Sequence, residues 1–171
     1  IVADLVTLRK RGVPLVVVHG GANVVTDWLA RLGITTRFVQ GLRVTDAETL
    51  KVVVAILAGL VNKELVAAIE ALGGQAIGLS GIDGGLLEAE VKDAEMGYVG
   101  EIVKVNPTLL KAILEAGFIP VIAPLSLQSP ANSPEAGFIL NVNGDAAAGE
   151  IAAALGAEKL IFLTDVAGIY N

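Results

Sequence analysis

Cysteine is absent from the 171 residues, which excludes disulfides, zinc–thiolate centres and a cysteine nucleophile. A single histidine, His19, leaves no room for a multi-histidine metal site. Charge is scarce as well: charged residues are 18% of the chain, and 12 basic against 18 acidic residues give −6. With a pI near 4.7, the chain does not fit sequence-independent nucleic-acid binding, which rests on basic residues meeting phosphates. A local positive site for a small anion stays open. Long hydrophobic runs are also missing, despite a hydrophobic content of 54% and a mean hydropathy of +0.70. The longest, residues 52–61 and, apart from Ser126, residues 118–127, fall short of the roughly 18–20 that span a bilayer. Arg9, Lys10 and Arg11 follow the first apolar stretch instead of preceding it, against the order of a signal peptide. The expectation is a cytoplasmic protein. Its first residue is Ile1, so the natural start is expected upstream.

What is present is apolar sequence punctuated by 20 glycines, too hydrophobic for a disordered tail. The helical spacing of Val2, Leu5, Val6 and Leu8 predicts a helix over residues 1–11, stopped by Gly12. Residues 14–18 read as a buried strand, and His19-Gly20-Gly21-Ala22-Asn23 as a tight turn into a helix from Val24 to about Leu32. Residues 37–44 suggest a hairpin bent near Gly41, and Thr45 or Asp46 a cap for a long helix from Ala47 to about Leu72. Buried strands follow at 75–79 and 118–123, the latter with a proline that suggests an edge or an early position. Residues 86–91 and 99–105 read as a β pair, with a helix over 108–115 and a loop-rich stretch over 126–137. A strand at 138–142, a helix from Gly144 to Leu155 and a strand at 159–163 complete the order. Strands alternating with helices indicate an α/β fold: a three-layer sandwich with a mostly parallel central sheet flanked by helices, plus hairpins. Residues 1–171 read as a single domain without internal repeats.

Familiar nucleotide and hydrolase signatures are missing. Neither G-x-x-x-x-G-K-[ST] nor G-x-G-x-x-G occurs, and Gly78-Leu-Ser80-Gly-Ile82 lacks the second glycine of a nucleophile elbow. The local candidates lie elsewhere. In Val18-His-Gly-Gly-Ala22 a strand ends in paired glycines as a helix begins, where backbone amides and the helix dipole favour an anion. A plain tight turn explains those five residues equally well, and His19 alone fits a structural hydrogen-bonder. In Gly41-Leu-Arg-Val-Thr-Asp46, the Arg43 fork could read a carboxylate bidentately or simply pair with Asp46. In Asn141-Val-Asn-Gly-Asp145, alternation puts Asn141 and Asn143 on one side, and two amides plus a carboxylate exceed what one helix cap needs. Thr164-Asp165-Val-Ala-Gly168 follows an apolar strand, where open α/β sheets place ligands.

Taken in order, VVVHGGA, GLRVTD, AGLVNKEL, GYVG, NPTLLKAILEAGFIPVIAP and NVNGDAAAGEIAAALGAEKLIFLTDVAGI resemble the acetylglutamate kinases of the amino-acid kinase family, over the whole chain. The resemblance implies phosphoryl transfer from ATP, with Mg²⁺, to the γ-carboxylate of N-acetyl-L-glutamate in arginine synthesis, and at least a homodimer. By that likeness Gly20 and Gly21 are the amide pair at the phosphorylated carboxyl end, Arg43 clamps the α-carboxylate and Asn141 is its neighbour. Asp145 resembles the aspartate that organises catalytic lysines, and Thr164 and Asp165 the start of the nucleotide-binding half.

Departures from the family pattern shape the expectation. Ala22 stands where the family usually has a third glycine. A K-x-G-G-type first strand and the second catalytic lysine have no counterpart. Lys10, Lys51, Lys63, Lys92, Lys104, Lys111 and Lys159 match neither role. The expectation is an inactive fragment holding mainly the amino-acid-binding half. Two alternatives are a carrier-protein-linked aminoadipate kinase of lysine synthesis, for which residues 77–83 also suit, and a non-catalytic amino-acid-binding module.

Overall fold

The structure is a computed structural model that describes residues 1–39, 41–129 and 139–163. Along the chain run α1 (Val2–Lys10), β1 (Val17–Val18), α2 (Ala22–Arg31), β2 (Phe38–Val39), β3 (Leu42–Arg43) and α3 (Ala47–Val54). A π-helical segment (Ala55–Val61) leads without a break into α4 (Asn62–Ala71). Then come β4 (Ala76–Ser80), β5 (Leu87–Val91), β6 (Val99–Val105), α5 (Thr108–Glu115), β7 (Ile119–Ala123), β8 (Leu125–Gln128), β9 (Ile139–Val142) and α6 (Gly144–Leu155).

The central sheet is parallel, in the order β1-β7-β4. Every residue of β7 is buried, as a strand covered on both faces requires. On one face Val6 of α1 and Ile69 of α4 pack with Ile119, Val121 and Val17. On the other, Leu110 of α5 and Ala147 and Ile151 of α6 pack with Ile122, Val18 and Leu79. The period-two alternation of β7 thus divides its side chains between two helix layers, which is the expected sandwich. Truncating Ile122, fully buried, to Ala would cost roughly 2–5 kcal/mol.

Pro120 sits early in β7 as expected, but in the central strand and not at an edge. Ile119 donates its N–H to Gln75 on the β4 side, so alternation turns the Pro120 nitrogen toward β1. There the ladder begins only at Val121. The missing donor therefore breaks no bond.

Helix Ala47–Ala71 has 25 residues and a mean hydropathy of 2.1 over its most apolar window, enough by length and composition to cross a bilayer. Of that window 28% is buried, and its buried Val53, Ile56 and Leu57 pack with Val25 and Leu29 of α2. Asp46, not Thr45, caps it, accepting from the Thr49 N–H at 2.8 Å.

Two stretches differ from the sequence reading. Residues 126–128, expected in the loop-rich stretch, form β8 together with Leu125. This strand joins β5, β6 and β9 in a closed barrel. Leu125 and Leu127 alternate with polar Ser126 and Gln128, a strand pattern that the prolines nearby obscure. The rest of that loop, from residue 130, lies outside the described residues. The strand expected at 159–163 is not formed: Ile161 is 72% and Leu163 67% exposed, and no described strand pairs with them. A strand exists through the ladder it shares with a neighbour, and apolar composition alone supplies none.

Candidate active site

The turn after β1 is built by its glycines. Gly21 has φ 148° and caps α2, a backbone geometry that side chains disfavour. A Cβ there would lie 2.7 Å from Leu57 Cδ2, so the π-helical segment packs directly on this turn. Gly20 is exposed, and a Cβ there would meet nothing within 4 Å. Helix α2 begins at Ala22, two residues earlier than its side chains suggest. Among the described residues no backbone N–H of Gly20, Gly21 or Ala22 is bonded, so three donors stand at a helix N-terminus.

His19 is buried beneath the turn. Its Nδ1 is 2.7 Å from the Gly20 carbonyl oxygen and its Nε2 is 3.2 Å from Asn62 Nδ2. Burial lowers its pKa, against a smaller opposite effect of the bond to Gly20. The structure thus makes His19 the structural hydrogen-bonder that the sequence suggested.

Arg43 is carried to the same place by the β2–β3 hairpin. Its side chain is 7% exposed. Nη2 donates to the Ala22 carbonyl and to Thr26 Oγ1, both at 2.9 Å. The guanidinium lies 4.7 Å from the Phe38 ring centroid, within cation–π range. Desolvation lowers its pKa, yet an arginine remains charged at any physiological pH. Nη1 is buried with no partner among the described residues. An unpaired buried donor costs about 1–3 kcal/mol, and more when charged. Pairing with Asp46, the plain alternative, is not formed, since Asp46 is spent on the α3 cap.

The third side comes from β9 and α6. Asn141 Nδ2 lies 3.3 Å from Thr45 Oγ1, and that hydroxyl donates to the Arg43 carbonyl. Asn143 caps α6, its Oδ1 accepting from Ala146 at 2.9 Å. The two asparagines therefore divide their work: one caps the helix and the other faces the hairpin. Asp145 is exposed in the first turn of α6. This helix start touches the glycine turn, because a Cβ on Gly144 would sit 3.7 Å from the His19 carbonyl oxygen. A cleft of about 310 Å³ adjoins, bordered by Leu42, Gly100, Val142, Asn143 and Ala146.

Bonds and contacts thus link the segments that carry Gly20 and Gly21, Arg43, Asn141 and Asp145, and the starts of α2 and α6 lie next to one another there. Such a site can receive a small anion through backbone amides and a carboxylate through a guanidinium. Thr164 and Asp165 lie outside the described residues. The sequence reading missed Thr26, Phe38 and Thr45, which hold the hairpin. It also assigned no role to Asn62, although an asparagine inside an apolar helical run was a usable signal.

Residues 1–171 match the amino acid kinase family from end to end. This chain belongs to the amino acid kinase family. Among amino acid kinases it is 49% identical to an acetylglutamate kinase of Dehalococcoides mccartyi, over 97% of this chain and 61% of that protein. It is 50% identical to one of Methanopyrus kandleri, over 90% of this chain and 63% of that protein. The chain thus spans about three fifths of the curated relatives' length. A solved structure of Streptococcus mutans smu.665 superposes with a TM-score of 0.87 at 28% identity, covering 96% of this chain and 65% of that one. An N-acetylglutamate synthase of Neisseria gonorrhoeae, solved with coenzyme A and N-acetyl-glutamate, superposes with a TM-score of 0.80 at 31% identity. That match covers 98% of this chain and 38% of the synthase.

Proposed function

We propose that the protein transfers the γ-phosphoryl group of Mg²⁺-ATP to the γ-carboxylate of N-acetyl-L-glutamate, in arginine synthesis. The observation that carries this reading is the buried Arg43 guanidinium, whose Nη1 has no partner among the described residues, beside a glycine turn whose amides have none there either. Similarity to acetylglutamate kinases supports it, as does a structural relative solved with N-acetyl-glutamate.

In this reading Arg43 Nη1 donates to the substrate's α-carboxylate, and Asn141 faces the same end. Gly20 and Gly21 hold the γ-carboxylate. One of its oxygens attacks the γ-phosphorus, the bond to the β–γ bridging oxygen breaks, and ADP leaves with that electron pair. Charge shifts toward the leaving oxygen, so the transfer depends on positioning and on nearby positive charge. Asp145, at the opposite helix start, orients cationic side chains around the migrating group. Thr164 and Asp165 open the nucleotide-binding part, and residues 1–171 are mainly the amino-acid-binding half. A cytoplasmic location and assembly into at least a homodimer belong to the same reading.

Incubating the intact protein with ATP, Mg²⁺, N-acetylglutamate and hydroxylamine tests it. Hydroxamate that forms with N-acetylglutamate but not with free glutamate is expected. No hydroxamate, with tight N-acetylglutamate binding retained, would make the protein a binding module instead.

A further inference from the structure

Asn62 is a polar residue within an apolar helical run. It is fully buried and opens α4 directly after the π-helical segment Ala55–Val61. A buried amide that serves only the helix would be a poor choice against leucine, because its polar groups must all be satisfied. Here both ends of the amide have partners, and one of them reaches the glycine turn.

The bonding admits one assignment. Asn62 Nδ2 lies 2.9 Å from the Val121 carbonyl and 3.2 Å from the Leu79 carbonyl, so that atom must be the amide nitrogen. Its Oδ1 accepts from Lys63 Nζ at 3.1 Å, consistent with the same orientation. The third neighbour of Nδ2 is His19 Nε2 at 3.2 Å. The two amide hydrogens are shared among three acceptors, the Val121 carbonyl being nearest. An Nε2–H pointing at this donor group would have no acceptor, so Nε2 is left as the acceptor. The proton of the neutral imidazole is then on Nδ1, and Nδ1–H donates to the Gly20 carbonyl. A protonated ring would set Nε2–H against Nδ2–H, so the site selects one neutral tautomer.

That last bond fixes a peptide plane. No cis peptide is present among the described residues, and in a trans peptide the C=O of Gly20 and the N–H of Gly21 point in opposite directions. Holding the carbonyl toward His19 turns the Gly21 N–H away from it, as one of the unbonded donors of the turn. Glycine peptides rotate readily, so without this restraint the turn could present an oxygen where an anion needs a proton.

We infer that Asn62 is a positioning residue: it sets the proton of His19 on Nδ1, which locks the Gly20–Gly21 peptide with the Gly21 amide facing the anion site. The catalytic consequence rests on the function proposed above, whereas the tautomer and the peptide orientation do not. Asn62 also bonds two sheet carbonyls, so substitutions of His19 separate positioning from folding. An asparagine amide can replace the Nδ1 donor, and a glutamine amide reaches the Nε2 position instead.

The test uses the intact protein. Long-range ¹H–¹⁵N spectra, with His19 assigned by its loss in His19→Asn, are expected to show a neutral Nδ1–H imidazole. Asn62→Asp should move the proton to Nε2 or charge the ring. In the hydroxamate assay, kcat should fall at least tenfold in His19→Gln and His19→Phe, with KM for ATP unchanged. His19→Asn should stay within about threefold of wild type. An Nε2–H tautomer in the wild type overturns the inference, as does equal activity of His19→Gln and His19→Asn. If the wild type makes no hydroxamate, the functional reading fails. The tautomer, with the Gly21 amide shift on titration with inorganic phosphate in wild type against His19→Gln, then decides the inference. A phosphate-dependent shift in wild type only supports it, and identical behaviour of the two overturns it.

Discussion

Arg43 Nη2 lies 2.9 Å from the carbonyl oxygen of Ala22, so the β2–β3 hairpin is bonded to the first turn of α2. Thr26 completes the junction, donating to the same carbonyl at 2.8 Å while accepting from Nη2 at 2.9 Å. The guanidinium is thus fixed through Nη2, while Nη1 has no partner among the described residues. Thr26→Val keeps the shape and removes the hydroxyl. It should lower stability by about 0.5–1.5 kcal/mol and weaken N-acetylglutamate binding severalfold, as read by urea unfolding and calorimetry. Unchanged binding would mean that Phe38 and Ala22 alone hold Arg43.

Gly20 and Gly21 are adjacent in sequence but should respond differently to the same substitution. Gly21→Ala forces a side chain onto φ 148° with its Cβ 2.7 Å from Leu57 Cδ2. Strain of that kind costs on the order of 1–3 kcal/mol. Gly20→Ala meets nothing within 4 Å and should leave the melting temperature nearly unchanged. Equal destabilisation by the two would show that the turn has a different backbone.

Asp145 is exposed and sits in the first turn of α6, where a carboxylate favours the helix by roughly 0.3–1 kcal/mol. Asp145→Asn should therefore unfold almost like wild type. Its kcat should fall by at least tenfold with little change in KM for N-acetylglutamate, because its proposed partners act on charge that develops during transfer. A raised KM at constant kcat would make Asp145 a substrate-recognition residue.

Two groups give stability a pH dependence in separate windows. Burial lowers the His19 pKa, so the unfolded chain binds the proton more readily than the folded one. Stability should then be intact above about pH 6.5 and decline as pH falls below it. The Asp46 carboxylate is lowered chiefly by its cap bond to the Thr49 N–H. Its contribution is present above the ordinary carboxylate range near 4 and is lost as pH falls through the folded value. Chemical unfolding from pH 8 to 3 should show both declines, and His19→Asn should remove only the upper one. Persistence of the upper decline in that variant would assign it elsewhere.

The helices, the parallel strands and the hairpin were legible because glycines, caps and apolar spacing mark them locally. Gly12, Gly41 and Asp46 are such marks. The barrel was not legible: β8 pairs with β5 and β9 across long sequence separations, and alternation over four residues carries no partner's address. The site divides the same way. Gly20, Gly21 and Arg43 stand out by type and place, whereas Thr26, Thr45 and Asn62 matter through bonds that only the folded chain creates.

The claim on which the functional reading turns is that Arg43 reads the α-carboxylate. N-acetyl-4-aminobutyrate is N-acetylglutamate without that group, so calorimetric titration of both ligands into wild type and Arg43→Ala isolates the contact. Wild type should prefer N-acetylglutamate by about ten- to a hundredfold, the equivalent of roughly 1.5–3 kcal/mol for a charged hydrogen bond. Arg43→Ala should bind the two ligands alike, and Arg43→Lys should recover only part of the preference, since an ammonium lacks the planar fork. If Arg43→Ala keeps the full preference, the carboxylate is read elsewhere and the assignment of Arg43 is wrong.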